Sequence, residues 1–170
     1  MKVAIKRISS DPLGLLGLCL VTLMVVSALG ASIFAPYDPI QLNIMDRLQG
    51  PSANHLLGTD QLGRDLFSRV LFGGQVALKV AFLTIGSALI IGVVLGMIAG
   101  YGPAWLDNSI MLLFDTIRSV PTIMLALAAV AMVGPSITTV IFVIAVSSIP
   151  NYGRVVRTQT LTIKSKDFVK

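Results

Sequence analysis

HLLGTDQLGRDLFSR, residues 55–69, is polar, punctuated by glycine and balanced in charge, within a chain otherwise built to dissolve in lipid. Uncharged runs flank it on both sides, Leu13–Phe34 before it and Val80–Gly100 after it. Such runs need a bilayer, whereas this segment needs water or an aqueous protein surface. The sequence therefore describes a membrane protein with a structured polar loop between its first two spans.

The bulk composition agrees. Of 170 residues, 55% are hydrophobic and 12% charged, and mean hydropathy is +0.87. An ordinary soluble domain carries about 25% charged residues. One membrane domain is the natural count. Cys19 is the single cysteine, which excludes an intrachain disulfide. The formal net charge is +5. The basic residues gather at the chain ends and in one loop, with no basic stripe interleaved with aromatics. Membrane orientation explains them better than nucleic acid does.

Lys2, Lys6 and Arg7 precede the first expected span, residues 13–34, which reaches about 33 Å at 1.5 Å per residue. That is enough for a hydrocarbon core of about 30 Å. Ala28-Leu29-Gly30-Ala31 faintly resembles a signal-peptide cleavage site, but a signal core is usually about 7–15 residues, shorter than this run. A retained span with residues 1–12 in the cytoplasm is expected. Residues 35–79 form an external loop in which Arg47, Arg64, Arg69 and Lys79 balance Asp38, Asp46, Asp60 and Asp65. Pro36, Pro39, Gly50 and Pro51 mark its first half as irregular. In its second half Leu62, Leu66, Phe67, Val70 and Leu71 recur at helical spacing behind Thr59 or Asp60 as a cap. The spacing predicts an amphipathic helix over about 61–72, lying along the outer face.

The second span is 80–100. Gly92, Gly96 and Gly100 lie four apart on one face, where small residues let another helix approach closely. Ser119–Gly153 carries no charge and is too long for one span, and Gly134-Pro135-Ser136 divides it. A third span over 110–133 and a fourth over 136–152 follow. Asp115 and Arg118, three apart near the expected cytoplasmic end of the third span, can pair as a membrane-edge ion pair. Arg154, Arg157, Lys164, Lys166 and Lys170 are opposed only by Asp167, so residues 153–170 read as a cytoplasmic tail. Two basic ends require an even number of spans, and about four spans meet that condition. The fold class is an all-α polytopic membrane bundle with an added amphipathic external helix.

Catalytic signatures are absent. The chain has no G-x-x-x-x-G-K-[ST], H-E-x-x-H, C-x-x-C or G-x-S-x-G, and it has no glutamate. His55 is the only histidine, with no cysteine or glutamate near it. The residues therefore favour transport, scaffolding or assembly over enzymology, with no metal or other cofactor bound by this chain.

The pattern H-x-L-G-T-D-x-x-G-R-D-x-x-S-R, here His55, Leu57, Gly58, Thr59, Asp60, Gly63, Arg64, Asp65, Ser68 and Arg69, resembles the C-type permeases of dipeptide, oligopeptide and nickel ABC importers. Asp11-Pro12-Leu13-Gly14, Phe34-Ala35-Pro36-Tyr37-Asp38-Pro39, Gly96-x-x-x-Gly100-Tyr101 and the Asp115 to Pro121 segment fit the same family. The resemblance implies the N-terminal part of a six-span fold in a bacterial inner membrane, with a second permease subunit as partner. It also implies two cytoplasmic ATPases that consume ATP and an external solute-binding protein that delivers peptide, nickel or a related solute. The polar loop would lie near the docking surface for that protein. Alternatively, its charges staple the loop to its own bundle. Gln75, Ala77 and Leu112 depart from the family's usual arginine, serine and arginine. Asp167-Phe168-Val169 matches the approach to the family's Glu-Ala-Ala coupling loop, and Lys170 stands where its glutamate would be. A permease truncated before that loop is the expectation, with a non-transporting remnant or assembly protein as the alternative.

Overall fold

The computed structural model describes residues 11–165; the expectations placed on Lys2, Lys6, Arg7 and on residues 166–170 lie outside them. The chain divides into two compact units after Lys79. Every regular element among the described residues is helical, as expected for a polytopic helical membrane protein.

The first unit opens with α1, Pro12–Leu29. Pro12 sits in its first turn, where a missing N–H costs nothing, and the Asp11 carboxylate accepts from Leu13 N at 3.2 Å. Its apolar residues point outward all round: Leu13, Leu16, Leu23 and Met24 are exposed. This is a helix whose solvent is lipid. Residues 13–34 are not one continuous helix, because α1 stops at Gly30 and a short α2, Ala31–Phe34, follows. A connecting segment with a 3-10 turn at Ile44–Asp46 leads to α3, Leu66–Tyr101.

Here the structure departs from expectation. The amphipathic helix over 61–72 and the span over 80–100 are a single helix of 36 residues. At 1.5 Å per residue it reaches about 54 Å, well beyond a hydrocarbon core of about 30 Å. It starts at Leu66 rather than Gln61 because Gly63 has φ +72, a left-handed conformation that no α-helix contains. It does not stop near Phe72 because Gly73 and Gly74 weaken a helix without breaking it. Gly74 also lets α1 approach: a β-carbon there would lie 3.2 Å from the Ala28 methyl.

In the second unit, the expected third span over 110–133 is two helices, α4 (Ala104–Ser119) and α5 (Thr122–Val133), bent by 83°. Pro121 supplies the reason. A residue before proline is driven out of the helical region, and Val120 sits at φ −93, ψ 124. Gly134, at φ +96, ends α5. Ser136 then caps α6, Ile137–Lys164, by accepting from Thr139 N at 3.0 Å. α6 passes through Pro150 and continues well beyond Tyr152, where the expected fourth span ended. Loss of hydrophobicity marks where a membrane ends, and helix propensity carries the charged turns onward. Among the described residues, three helices are long and apolar enough to cross a bilayer, or four if the bent pair counts as one span.

Contacts give this unit its directions. Gly92 faces Ile149 to Gly153, Gly96 faces Gly153 to Arg157, and Gly100 faces Thr160, so α3 and α6 run parallel. Asp107 meets Arg157 and Arg118 meets Asn151, so α4 runs antiparallel to α6. The C-terminal ends of α3 and α6 therefore coincide, and Lys164 Nζ donates to the Tyr101 carbonyl at 3.1 Å. Between them lies an apolar core of Ala88, Ala99, Ile110, Phe114 and Ile149.

Candidate functional site

The residues of the 55–69 pattern form one hydrogen-bonded knot. Its backbone frame is an antiparallel bridge between Thr59 and Asp65 closed by the turn at Gly63. Asp60 N donates to Arg64 O, and Gly63 N to Asp60 O, each at 3.0 Å. Residues 43–49 lie alongside: Thr59 N donates to Gln49 O and Leu48 N to Asp60 O, again at 3.0 Å. Gly58 (φ +79) and Gly63 must be glycine for two reasons, their left-handed backbone and the lack of room. A β-carbon at Gly63 would overlap the Asn43 carbonyl, and one at Gly58 would overlap that of Gln49.

Two carboxylates organise the side chains. Asp60 Oδ1 accepts from Leu62 N at 2.8 Å and Arg64 N at 3.1 Å, while Oδ2 accepts from Arg64 Nε at 2.8 Å and from Arg69. Burial by itself would raise the Asp60 carboxyl. The backbone amides of Arg64 and Leu62, with the Arg64 guanidinium, outweigh it and hold the group at about 2. Asp65 caps α3: its Oδ2 accepts from Ser68 N and Ser68 Oγ, both at 2.7 Å. The cap expected at Thr59 or Asp60 is thus five or six residues late, at Asp65. Asp65 Oδ1 faces His55 Nδ1 at 3.0 Å. An ionised carboxylate only accepts, so Nδ1 carries the proton. Burial pushes the Asp65 carboxyl upward, and the Ser68 amide, Ser68 hydroxyl and His55 together bring it below its ordinary value. Ser68 Oγ in turn accepts from Tyr37 N at 3.2 Å, and the Tyr37 ring lies 4.9 Å from that of His55.

This loop has a polar interior. His55, Thr59, Asp65 and Ser68 are buried. Ile40, Ile44, Met45 and Leu48 are exposed. The carboxylates of the pattern are spent on the loop's own turn, bridge and helix cap. Thr59 Oγ1 likewise accepts from Gln49 N at 2.9 Å and donates to the Asp46 carbonyl. Asp60 pairs with Arg64 and Arg69, while Asp65 pairs with His55. Among the described residues no group of three or more His, Cys, Asp or Glu side chains is arranged to hold a metal.

The glycine face forms a seam with the chain's own α6. A β-carbon at Gly92 would stand 2.8 Å from Tyr152 Cβ, at Gly96 2.9 Å from Val156 Cβ, and at Gly100 2.6 Å from Thr160 Cβ. That face is therefore occupied by the chain's own α6. Gly153 on α6 also admits the Phe114 ring of α4.

Asp115 and Arg118 do not pair with one another. α6 packs alongside α4 and presents a better partner to each. Asp115 is bridged to Arg154, and Arg118 donates to Asn151 Oδ1 at 2.9 Å. The sequence reading does not anticipate the two-bond ion pair of Asp107 with Arg157; Arg157 Nη2 donates to Asp107 Oδ2 at 2.6 Å and Nε to Oδ1. Its signal was present in the sequence, as an acid at the head of α4 and an arginine beyond the last uncharged run. Only knowledge that these helices run antiparallel joins the two.

Two family models match. Residues 1–51 match the N-terminal TM domain of oligopeptide transport permease C, and residues 92–170 match the binding-protein-dependent transport system inner membrane component. Among curated relatives, a dipeptide transport system permease protein of Alkalihalophilus pseudofirmus is 37% identical over 166 residues, covering 98% of this chain and 55% of that protein. A glutathione transport system permease protein of Pectobacterium atrosepticum is 38% identical over 151 residues, covering 88% and 50%. A di/tripeptide transport system permease protein of Pseudomonas aeruginosa is 38% identical over 159 residues, covering 90% and 52%. The chain spans about half the length of the curated relatives it matches. With its all-helical, lipid-facing architecture, it belongs to the peptide-family permeases of binding-protein-dependent ABC importers.

Proposed function

We propose that this chain serves as a membrane subunit of an importer for short peptides, forming half of a translocation pathway. The other half is a second permease. Two cytoplasmic ATPases consume ATP to drive the cycle, and an external solute-binding protein delivers the ligand. The observation that carries the reading is the near-complete coverage of this chain, 98%, by a protein named for dipeptide transport. Dipeptide, di/tripeptide and glutathione permeases all appear among its relatives, and their named solutes share the peptide bond.

The geometry supports this reading in two ways. The parallel pairing of α3 and α6 fits three crossings if α4 and α5 together make the return, and α1 supplies a fourth span. With four spans both chain ends lie on one side, and the basic residues after Gly153 support the cytoplasm of a bacterial inner membrane as that side. The 35–65 loop then faces outward, as a rigid platform whose signature residues hold its shape. Contact with a binding protein falls to the exposed residues around the knot.

A tagged pull-down of this chain from its native membranes, with co-purifying proteins identified by mass, tests the assignment. Recovery of a second permease together with ATPases is the expected result. Recovery of neither would refute the proposed assembly, and a reporter fused after Lys164 that reads outside the cytoplasm would refute the topology.

A further inference from the structure

The register of α3 against α6 fixes how deep the charges of α4 and α6 lie. Val80–Gly100 is an uncharged run of about 32 Å, bounded on one side by Lys79. Gly92 meets Ile149 to Gly153, and Gly96 meets Gly153 to Arg157. Asn151 is therefore level with Gly92, and Arg154 lies between the levels of Gly92 and Gly96. Gly92 stands about 12 Å inside the Gly100 end of the run. Arg118, which donates to Asn151 Oδ1 at 2.9 Å, and Asp115, bridged to Arg154, share that depth.

The chain does not shelter these groups. The Asp115 side chain is 67% exposed and that of Arg154 38%, and Arg118 and Asn151 are exposed as well. At about 100° per residue, Asn151 and Arg154 stand within about 40° of the direction opposite Ile149, on the side of α6 turned away from α3. Snorkelling does not rescue them. Both guanidiniums are held across the helix pair, and the short Asp115 and Asn151 side chains cannot reach the membrane surface. Exposed ionised groups at this depth need water. Among the described residues Arg118 bridges to no carboxylate. Two guanidiniums thus share one carboxylate, and the surface keeps a positive charge.

We propose that this face of α4 and α6 lines the aqueous route of the transported solute, and that Arg118 on it receives the solute's carboxylate. Asn151 orients the Arg118 guanidinium without neutralising it, leaving its other N–H donors for a two-bond contact with an anion. Asp115 orients Arg154 in the same way but cancels its charge. The proposal rests on the transport reading and adds to it the face and the residue.

Cysteine labelling in native membranes tests it, on a Cys19→Ala background that removes the single native thiol. Ser119→Cys places a thiol one turn beyond Asp115, beside Arg118. Ile90→Cys places one at similar depth on α3, two residues from Gly92 and so facing the other way, at a position that is 67% exposed. A thiol reacts as the thiolate, which forms in water and not in hydrocarbon. An anionic and a cationic methanethiosulfonate are applied from both membrane faces, with and without ATP. Ser119→Cys is expected to react about tenfold faster than Ile90→Cys or more, and fastest with the anionic reagent. Arg118→Gln is expected to lower the anion-to-cation rate ratio about threefold, as loss of one partly screened charge does, and Arg118→Lys to keep it. Equally slow labelling at both positions in every condition would overturn the aqueous face. A ratio indifferent to Arg118→Gln would overturn the carboxylate role. Labelling reads water and charge rather than partners, so its failure is distinct from a pull-down that recovers no ATPases.

Discussion

Replacing Gly96 by alanine tests the glycine seam at its tightest point. The new methyl would sit 2.9 Å from Val156 Cβ and closer still to the Gly153 carbonyl oxygen. Ordinary carbon contacts begin at about 3.5 Å, so clearing Val156 alone requires α3 and α6 to part by about 0.6 Å. The Gly153 carbonyl is backbone inside a helix and cannot rotate away, so the separation falls on the whole interface. Overpacking of this kind costs about 1–3 kcal/mol, and the rigid backbone neighbour puts Gly96 toward the upper end. Gly92→Ala meets its nearest neighbour, Tyr152 Cβ, at 2.8 Å and the Ile149 carbonyl at 3.0 Å, and is expected to cost less. Gly86, also in α3, would place a β-carbon in open space. Its alanine variant is expected to be neutral or to gain up to about 1 kcal/mol from helix propensity. Steric trapping in bicelles, with biotin labels on α3 and α6, measures all three. The order expected is Gly96 well below Gly92, with Gly86 at or above the parent. A Gly96→Ala chain as stable as Gly86→Ala would refute close packing of α3 on α6.

Further outcomes follow from the knot and the ion pairs. Gly63→Ala combines a left-handed residue with overlap of the Asn43 carbonyl, so the 35–65 loop is expected to become protease-sensitive while α6 stays protected; unchanged cleavage would refute the turn. Asp60, at about 2, and Asp65, also lowered, both sit below their unfolded values near 4. Their contribution to loop stability is thus fully present above about pH 4 and is lost as pH falls toward 2. Pulsed proteolysis across that window checks this, and Asp60→Asn with Asp65→Asn is expected to flatten the dependence. Asp107 and Arg157 form a two-bond, partly buried pair, whereas Asp115 beside Arg154 is 67% exposed. Double-mutant cycles are expected to give about 1–2 kcal/mol for the first pair and about 0–1 kcal/mol for the second. Equal couplings would refute the ranking.

The helical membrane architecture was legible because uncharged runs and Gly134-Pro135-Ser136 are local signals. Where helices begin and end was less so. Hydropathy located lipid, and the ends of α3 and α6 lie outside lipid, where it carries no information. Pro121 stood in plain view, yet a bend of 83° cannot be told from a mild kink until the packing of α4 and α5 is known. In the loop, the pattern named the residues that matter, but their bonds depend on pairing across sequence. Asp65 finds His55 and Ser68, and residues 43–49 close over the turn. The pairing of Asp115 with Arg118 was inferred from helical spacing alone. A neighbouring helix offering Arg154 and Asn151 displaced that local choice.

The parallel course of α3 and α6 bears on how the chain is made. Gly92 leaves the ribosome about 60 residues before Gly153, a delay on the order of 3–12 s at about 5–20 residues per second. Throughout that interval the groove at Gly92, Gly96 and Gly100 has no mate, because the facing stretch of α6 has not yet been made. A newborn α3 thus waits in the lipid with its most adhesive face open to any passing helix. Speed of synthesis across the 102–160 stretch, and the company kept at the insertion machinery, therefore decide whether the seam closes on its own chain or is captured by a neighbour.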